Sequence, residues 1–136
     1  NYNRQHQDLR TENGIKYGDV LEKVNFEYCA RLTAVNAINL AALAWAPPHP
    51  VNVKIGGIVA PDTKLAWEKV SSNNIAGYKI YWRETTSPQW QYSKYVGDVS
   101  EFTLKGIVID NYLFGVASVG KDGNESVVVF PSDVIR

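Results

Sequence analysis

Hydrophobic and polar residues alternate along two neighbouring stretches in the middle of the chain. Leu65 and Trp67 share one face of the first stretch, and Tyr78, Ile80 and Trp82 share one face of the second. The opposite faces carry charged side chains, and a Ser- and Asn-rich segment of the kind that forms turns lies between the two stretches. The pattern predicts two strands of a β-sandwich, each with one buried and one solvated face.

The same alternation continues along the chain and predicts a mainly β protein, a sandwich of seven antiparallel strands. The expected strands are Val51 to Ile55, two centred on Trp67 and Ile80, then Trp90 to Val96, Glu101 to Leu104, Tyr112 to Val119 and Val127 to Phe130. An Asp-Gly pair at Asp122 and Gly123 predicts the last hairpin turn. The expected core consists of Trp67, Tyr78, Ile80, Trp82, Tyr112 and Phe114.

The residues ahead of the sandwich follow other patterns. Residues 1 to 24 are polar without a sustained period, which predicts an irregular segment. Helical spacing then runs over residues 26–45, with Asn25 as the expected N-cap and Pro47 and Pro48 ending the helix. The prolines predict a stiff linker, and so a division into residues 1–46 and 47–136.

The predicted helix is apolar nearly all round. Helices of this kind are normally buried inside a larger domain. We therefore expect helix 26–45 to dock on the catalytic domain of a larger parent protein, on the sandwich, or on the same helix of a second copy by self-association. The small Ala34, Ala37 and Ala41 side chains favour such close contact.

Charge and composition exclude some partners. The 136 residues include 14 Lys and Arg and 14 Asp and Glu, and the net charge is zero. This balance argues against nucleic acid and anionic membrane as partners, because both require a basic surface. Cys29 is the only cysteine, so no internal disulfide forms. The chain contains no Met and opens on a polar stretch, which suggests a piece of a longer protein.

A Trp-bearing strand followed by the run Gly77-Tyr-x-Ile-x-Trp82 resembles the B and C strands of a fibronectin type III domain. The run Tyr112-x-Phe-x-Val-x-Ser118 is similar to that family's F strand, and Leu104 with Gly106 resembles its tyrosine corner. An immunoglobulin domain would instead carry two cysteines around a Trp. The resemblance implies a fibronectin type III-like sandwich over residues 47–136.

Residues 5 to 46 carry a second resemblance. His6, the run Asp19-Val-Leu-Glu-Lys-Val-Asn-Phe-Glu-Tyr28 and an Ala/Leu helix ending Leu-Ala-Trp-Ala-Pro-Pro are similar to the end of the catalytic domain in co-catalytic zinc aminopeptidases, the leucine aminopeptidase-like metallopeptidases. The resemblance implies that the parent binds zinc, with His6 as a metal ligand only in the intact parent. It also implies a secreted or periplasmic bacterial protein.

The chain alone carries little catalytic chemistry. A catalytic zinc needs several His or carboxylate ligands and an open position, but the only histidines are His6 and His49, without a His-Glu-x-x-His arrangement. Neither histidine has a partner motif for nucleophilic catalysis. We therefore expect no catalytic residue and no cofactor in this chain; His6 is either a ligand in the parent or a loop histidine, and His49 is linker surface.

The surplus of aromatic residues suggests an interaction surface. Tyr81 is expected to point away from Ile80 and Trp82, while Trp90 and Tyr92 lie on the next strand. Together Tyr81, Trp90 and Tyr92 form a possible surface for a sugar, a peptide or the parent's catalytic domain. The alternative is that the rings cover a sheet edge or pack on the helix.

Two functions follow from these patterns. The first is a non-catalytic C-terminal fragment of a zinc aminopeptidase-like protein, with the fibronectin type III module as an accessory domain. The alternative is a free-standing adhesion or carbohydrate-binding sandwich.

Overall fold

The computed structural model describes residues 2–135, and the chain divides into two compact units between Leu40 and Ala41. The elements are β1 (Arg10–Glu12), β2 (Ile15–Tyr17), a 3-10 helix (Leu21–Lys23), α1 (Phe26–Trp45), β3 (Val51–Gly56), β4 (Thr63–Glu68), β5 (Ile75–Glu84), β6 (Tyr92–Gly97), β7 (Glu101–Leu104), a second 3-10 helix (Ile109–Asn111), β8 (Tyr112–Gly120) and β9 (Asp133–Val134). The prediction of separate domains over 1–46 and 47–136 stays a prediction.

Strands β1 and β2 form a small antiparallel hairpin in the segment expected to be irregular. Arg10 pairs with Tyr17 across the hairpin, and the Arg10 guanidinium lies 4.1 Å from the Tyr17 ring centre. Asn13 and Gly14 form the turn with φ of 51° and 76°, as an Asn-Gly hairpin turn requires. The prediction of no regular element before Asn25 is therefore wrong, because this dipeptide sets the hairpin even between three-residue strands.

Helix α1 has the predicted bounds. The Asn25 side-chain oxygen accepts a hydrogen bond from the Tyr28 N–H at 2.9 Å, which confirms the N-cap. None of its residues is buried, and Leu40 and Trp45 are 68% and 69% exposed. Among the residues that the structure describes, no helix is long and apolar enough to cross a membrane.

The C-terminal unit contains two packed sheets. One has the strand order β7-β4-β3-β9 and the other the order β6-β5-β8. All pairings are antiparallel except that of β3 with β9, which is parallel. The expected sandwich of seven antiparallel strands is therefore matched only in part: the two sheets contain four and three strands, but the pairing of β3 with β9 is parallel, and the separate hairpin β1-β2 brings residues 2–135 to nine strands.

The expected last strand, Val127 to Phe130, is not a regular strand. Val129 forms an isolated bridge with Val116 of β8, and the chain then changes sheet. Beyond Pro131 the chain pairs with β3, where the Ser132 N–H donates to the Val53 carbonyl at 3.0 Å. Proline has no N–H for a sheet ladder, which favours ending the first pairing at this point.

The core lies between the two sheets. Its buried hydrophobic residues are Val53, Leu65, Trp67, Tyr78, Ile80, Leu104, Phe114 and Val116. Of the expected core residues, Trp67, Tyr78, Ile80 and Phe114 are buried. Trp82 and Tyr112 are only partly buried, because they pack against the core from its margin.

The loop expected to form a tyrosine corner is held by other side chains. The Thr63 hydroxyl donates to the Ile107 carbonyl at 2.8 Å, and the Asp62 carboxylate accepts from the Gly106 N–H at 2.8 Å. Hydrogen bonds from Lys105 and Gly106 lower the pKa of Asp62. No hydrogen bond described for residues 2–135 joins the Tyr112 hydroxyl to this loop.

The proline segment before β3, residues 47–50, packs into the sandwich. Pro47 and Pro50 are buried, and the Ser118 hydroxyl of β8 donates to the Pro48 carbonyl. The Ser118 N–H in turn donates to the Ser126 hydroxyl at 3.0 Å. The Ser118 hydroxyl therefore anchors this segment to β8.

Ser118→Ala is expected to lower the free energy of unfolding by about 1–2 kcal/mol, because the Pro48 carbonyl loses its donor. Urea denaturation followed by Trp fluorescence measures the change. Ser93→Ala, at an exposed position of β6, is the matched control. Its free energy of unfolding is expected to lie within about 0.5 kcal/mol of that of the unsubstituted chain. Equal stabilities of the two variants would contradict the anchoring role.

Candidate functional site

Three aromatic rings meet on the outer face of the three-stranded sheet. Tyr81 of β5 faces away from the core, and its ring centre lies 5.9 Å from that of Trp90. Phe130 adds a third ring, 5.2 Å from Trp90. We call Tyr81, Trp90 and Phe130 the outer aromatic cluster. Alternation along β5 explains why Tyr81 points away from the core, because its neighbours on either side point inward.

A glycine makes room for the cluster. Gly115 of β8 lies opposite Tyr81, and a Cβ atom at this position would lie 3.3 Å from the Trp90 ring and would clash with Val128. The missing side chain leaves room for Val128 and for the edge of the Trp90 ring against the sheet. The Trp90 ring therefore packs against the surface of the sheet, which restricts its movement.

Charged groups surround the cluster. Lys79 Nζ lies 2.9 Å from Glu125 Oε1, and the Tyr81 hydroxyl donates to the same carboxylate. Burial raises the pKa of Tyr81, and the hydrogen bond to Glu125 acts in the same direction. The pKa of Lys79 is raised chiefly by its hydrogen bond to Glu125. Both groups therefore keep their protons well above neutral pH, and the Tyr81 hydroxyl remains a donor.

Arg83 completes the row of alternate outward residues on β5. Its guanidinium lies 5.6 Å from the Trp90 ring centre, within the range of a cation–π interaction, and it donates to the Ser87 carbonyl. The arrangement joins β5 to the loop before β6. It presents one positive charge beside an aromatic surface.

Tyr92 is not part of this cluster. It pairs with Trp82 across β5 and β6, and opposed residues point to the same side of a sheet. Tyr92 accordingly stacks on Trp82 at 5.5 Å and meets Tyr112 edge-on at 6.3 Å. The structure thus brings together Tyr81 and Trp90 of the expected surface, and adds Phe130, whose place follows only from the change of sheet at Pro131.

His6 lies exposed in a turn of the N-terminal unit, with φ of 56°. Within residues 2–135, no group of three or more His, Cys, Asp or Glu side chains is placed to hold a metal ion. A role of His6 as a zinc ligand in a larger protein stays a prediction. His49 is exposed beside the buried Pro50, and its Nδ1 lies 3.0 Å from the Pro50 carbonyl.

No protein-family profile matches the chain. It is 46% identical over 132 residues to a probable zinc metalloprotease of Leptosphaeria maculans, and the match covers 96% of this chain and 30% of that protein. It is 40% identical over 132 residues to a probable zinc metalloprotease of Pyrenophora tritici-repentis, covering 96% and 27%. The chain is similar to part of these proteins. It spans less than a third of their length.

These relatives come from filamentous fungi. The expectation of a bacterial, periplasmic protein is therefore wrong, because the source was inferred from the family resemblance alone. The expected relation to a zinc-dependent protease is confirmed at the level of similarity to proteins named probable zinc metalloprotease.

Solved structures support the fold. The chain superposes on a structure titled as a myokine with a TM-score of 0.50 and 17% identity, over 62% of this chain and 90% of that one. A redesigned β-sandwich protein gives a TM-score of 0.51 and 15% identity, over 66% and 94%. The expectation of a fibronectin type III-like β-sandwich is confirmed as a fold.

Proposed function

We propose that this chain is a non-catalytic C-terminal part of a zinc aminopeptidase-like metalloprotease, and that its sandwich is an accessory interaction domain. The observation that carries the proposal is the 46% identity to part of a probable zinc metalloprotease over 96% of this chain. Apart from the ligand role proposed below for His6, the parent's catalytic groups then lie in the remainder of the protein.

The chemistry of the chain supports a non-catalytic role. Catalytic zinc sites use three protein ligands and a bound water. His6 is the one residue of this chain for which we propose a ligand role, so the other ligands must come from the parent. Zinc in the parent would polarise the scissile carbonyl and activate the attacking water.

Helix α1 supports a larger parent. Its exposed side chains include Leu32, Ile38, Leu40 and Leu43, each of which stabilises a fold by about 1.5–3 kcal/mol when it is buried. We propose that the parent's catalytic domain covers helix 26–45 in the intact protein. Self-association through the same helix is the competing outcome, and it would appear as a concentration-dependent mass in light scattering.

The proposal is tested in the intact protein with an amino-acid anilide as substrate. His6→Ala is expected to remove most of the bound zinc and of the turnover, whereas His49→Ala is expected to change neither. The purified 136-residue chain is expected to bind no stoichiometric zinc and to cleave nothing. Turnover by the chain alone that is lost on His6→Ala would overturn the proposal.

The outer aromatic cluster also bears on the second candidate, a free-standing adhesion or carbohydrate-binding sandwich. The Tyr81 and Phe130 rings are tilted by 52° and 36° from the Trp90 ring, so the three do not form a flat platform for a sugar chain. Retention of the chain on insoluble polysaccharide, lost on Trp90→Ala, would favour this candidate over the first.

A further inference from the structure

The two outer faces of the sandwich differ in chemistry. The outer face of the four-stranded sheet carries cross-strand ion pairs, with Lys54 Nζ 3.6 Å from Asp133 and Lys64 Nζ 2.9 Å from Glu101. All four side chains are between 40% and 60% exposed. Paired charges of this kind are typical of a face that remains in water.

The outer face of the three-stranded sheet is aromatic. It carries the outer aromatic cluster, in which Phe130 is 48% exposed, and Tyr95 of β6 is 53% exposed on the same side, opposite Lys79. Gly115 and Ala117 of β8 are buried beneath these side chains. Exposed aromatic rings do not stabilise a face that stays in water, whereas aromatic residues and Arg are enriched at interfaces between proteins.

One charge on this face, that of Arg83, has no acidic partner within residues 2–135. Lys79 is paired with Glu125, but among the ion pairs described for residues 2–135 none includes Arg83. Arg83 instead lies over the Trp90 ring. A partner surface complementary to this face therefore combines apolar side chains with a carboxylate opposite Arg83.

We propose that the aromatic outer face of β6-β5-β8 docks on the remaining part of the same metalloprotease chain, at an apolar patch that presents a carboxylate to Arg83. This inference rests on the proposed function, since it takes its partner from the parent protein. The aromatic outer face of the accessory domain is then covered, and the ion-paired outer face stays in solvent.

Tethering favours this partner over a separate one. The relatives extend far beyond the matched region, and β3 begins directly after the packed Pro47–Pro50 segment. A surface that is covalently joined to its partner meets it at an effective concentration that reaches about millimolar for short linkers, so even a modest patch is occupied. Contacts between domains of one chain typically mix polar and apolar groups, as this face does.

Hydroxyl-radical footprinting read by mass spectrometry tests the docking, because it measures the solvent access of individual side chains. In the intact protein, labelling of Trp90, Tyr95 and Phe130 is expected to be several-fold lower than in the 136-residue chain. Ile58, in the loop after β3, is 63% exposed and serves as the internal reference, with equal labelling in both.

Charge reversal tests the role of Arg83. In the intact protein, Arg83→Glu is expected to restore the labelling of Phe130 to that of the 136-residue chain. Lys64→Glu, the matched reversal on the ion-paired face, is expected to leave that labelling low. Circular dichroism of both variants checks that the sandwich is folded, and Arg83→Gln replaces Arg83→Glu if it is not.

Equal labelling of Phe130 in the intact protein and the 136-residue chain would overturn the docking. Protection that appears in the 136-residue chain itself as its concentration rises would assign the face to a second copy and would also overturn it. Zinc content and peptidase turnover of the same intact protein are measured in parallel. Protection without zinc or turnover would remove the proposed function and keep the docking, so the two failures are distinguishable.

Discussion

Trp67→Ala is expected to lower the free energy of unfolding by about 3–5 kcal/mol, the range for large aromatic truncations in protein cores. Trp67 is 4% exposed between the sheets, and its ring centre lies 5.4 Å from that of Tyr78. The surrounding strands are paired on both sides of β4, so the cavity cannot collapse freely. A loss of this size is a large part of the stability of a small domain.

Two substitutions serve as controls in the same urea titrations. Trp45→Ala removes the same side chain where it is 69% exposed, and is expected to change the stability by about 0.5 kcal/mol or less. Trp67→Phe keeps an aromatic ring in the core and removes the buried indole N–H, which has no partner among the described residues. Its cost is expected to be well below that of Trp67→Ala, since an unpaired buried donor is itself unfavourable.

These measurements test the register of β4. If Trp67→Ala and Trp45→Ala cost the same, Trp67 does not lie in the core. If Trp67→Phe costs as much as Trp67→Ala, the indole N–H has a partner that the described hydrogen bonds do not include.

The second large effect concerns truncation. A fragment of residues 47–136 is expected to unfold cooperatively, whereas a fragment of residues 1–46 is expected to show no cooperative transition at all. The sandwich contains the buried hydrophobic cluster, while α1 contains no buried residue. Without a core, the favourable burial term is missing and conformational entropy dominates.

Circular dichroism during urea and thermal unfolding measures this difference for the full chain and for fragments 41–136, 47–136 and 1–46. Fragments 41–136 and 47–136 distinguish the boundary between compact units, at Leu40 and Ala41, from the predicted boundary at residue 46. A cooperative transition in fragment 1–46, or its absence in fragment 47–136, would contradict the expectation.

Local pattern was enough for the helix and for most strands. The 3.6-residue period, the Asn25 cap and the following prolines define α1, because each acts within a few residues of chain. Period-two alternation placed Trp67, Tyr78 and Ile80 in the core for the same reason. The Asn13-Gly14 dipeptide is a local signal for a hairpin turn. The flanking strands of three residues are too short to show an alternation that would predict them from the sequence.

Only the tertiary structure determined which residues form the outer aromatic cluster. Tyr92 and Trp90 lie two residues apart, yet Tyr92 pairs with Trp82 and faces inward, whereas Trp90 precedes β6 and folds over Gly115. Phe130 reaches Trp90 because the chain leaves β8 for β3 near Pro131. Register and the change of sheet depend on partners distant in the sequence. The sequence by itself therefore determined which face of β4, β5 and β8 points to the core, and only the packing of the two sheets determined how deeply each side chain is buried and which outward side chains meet.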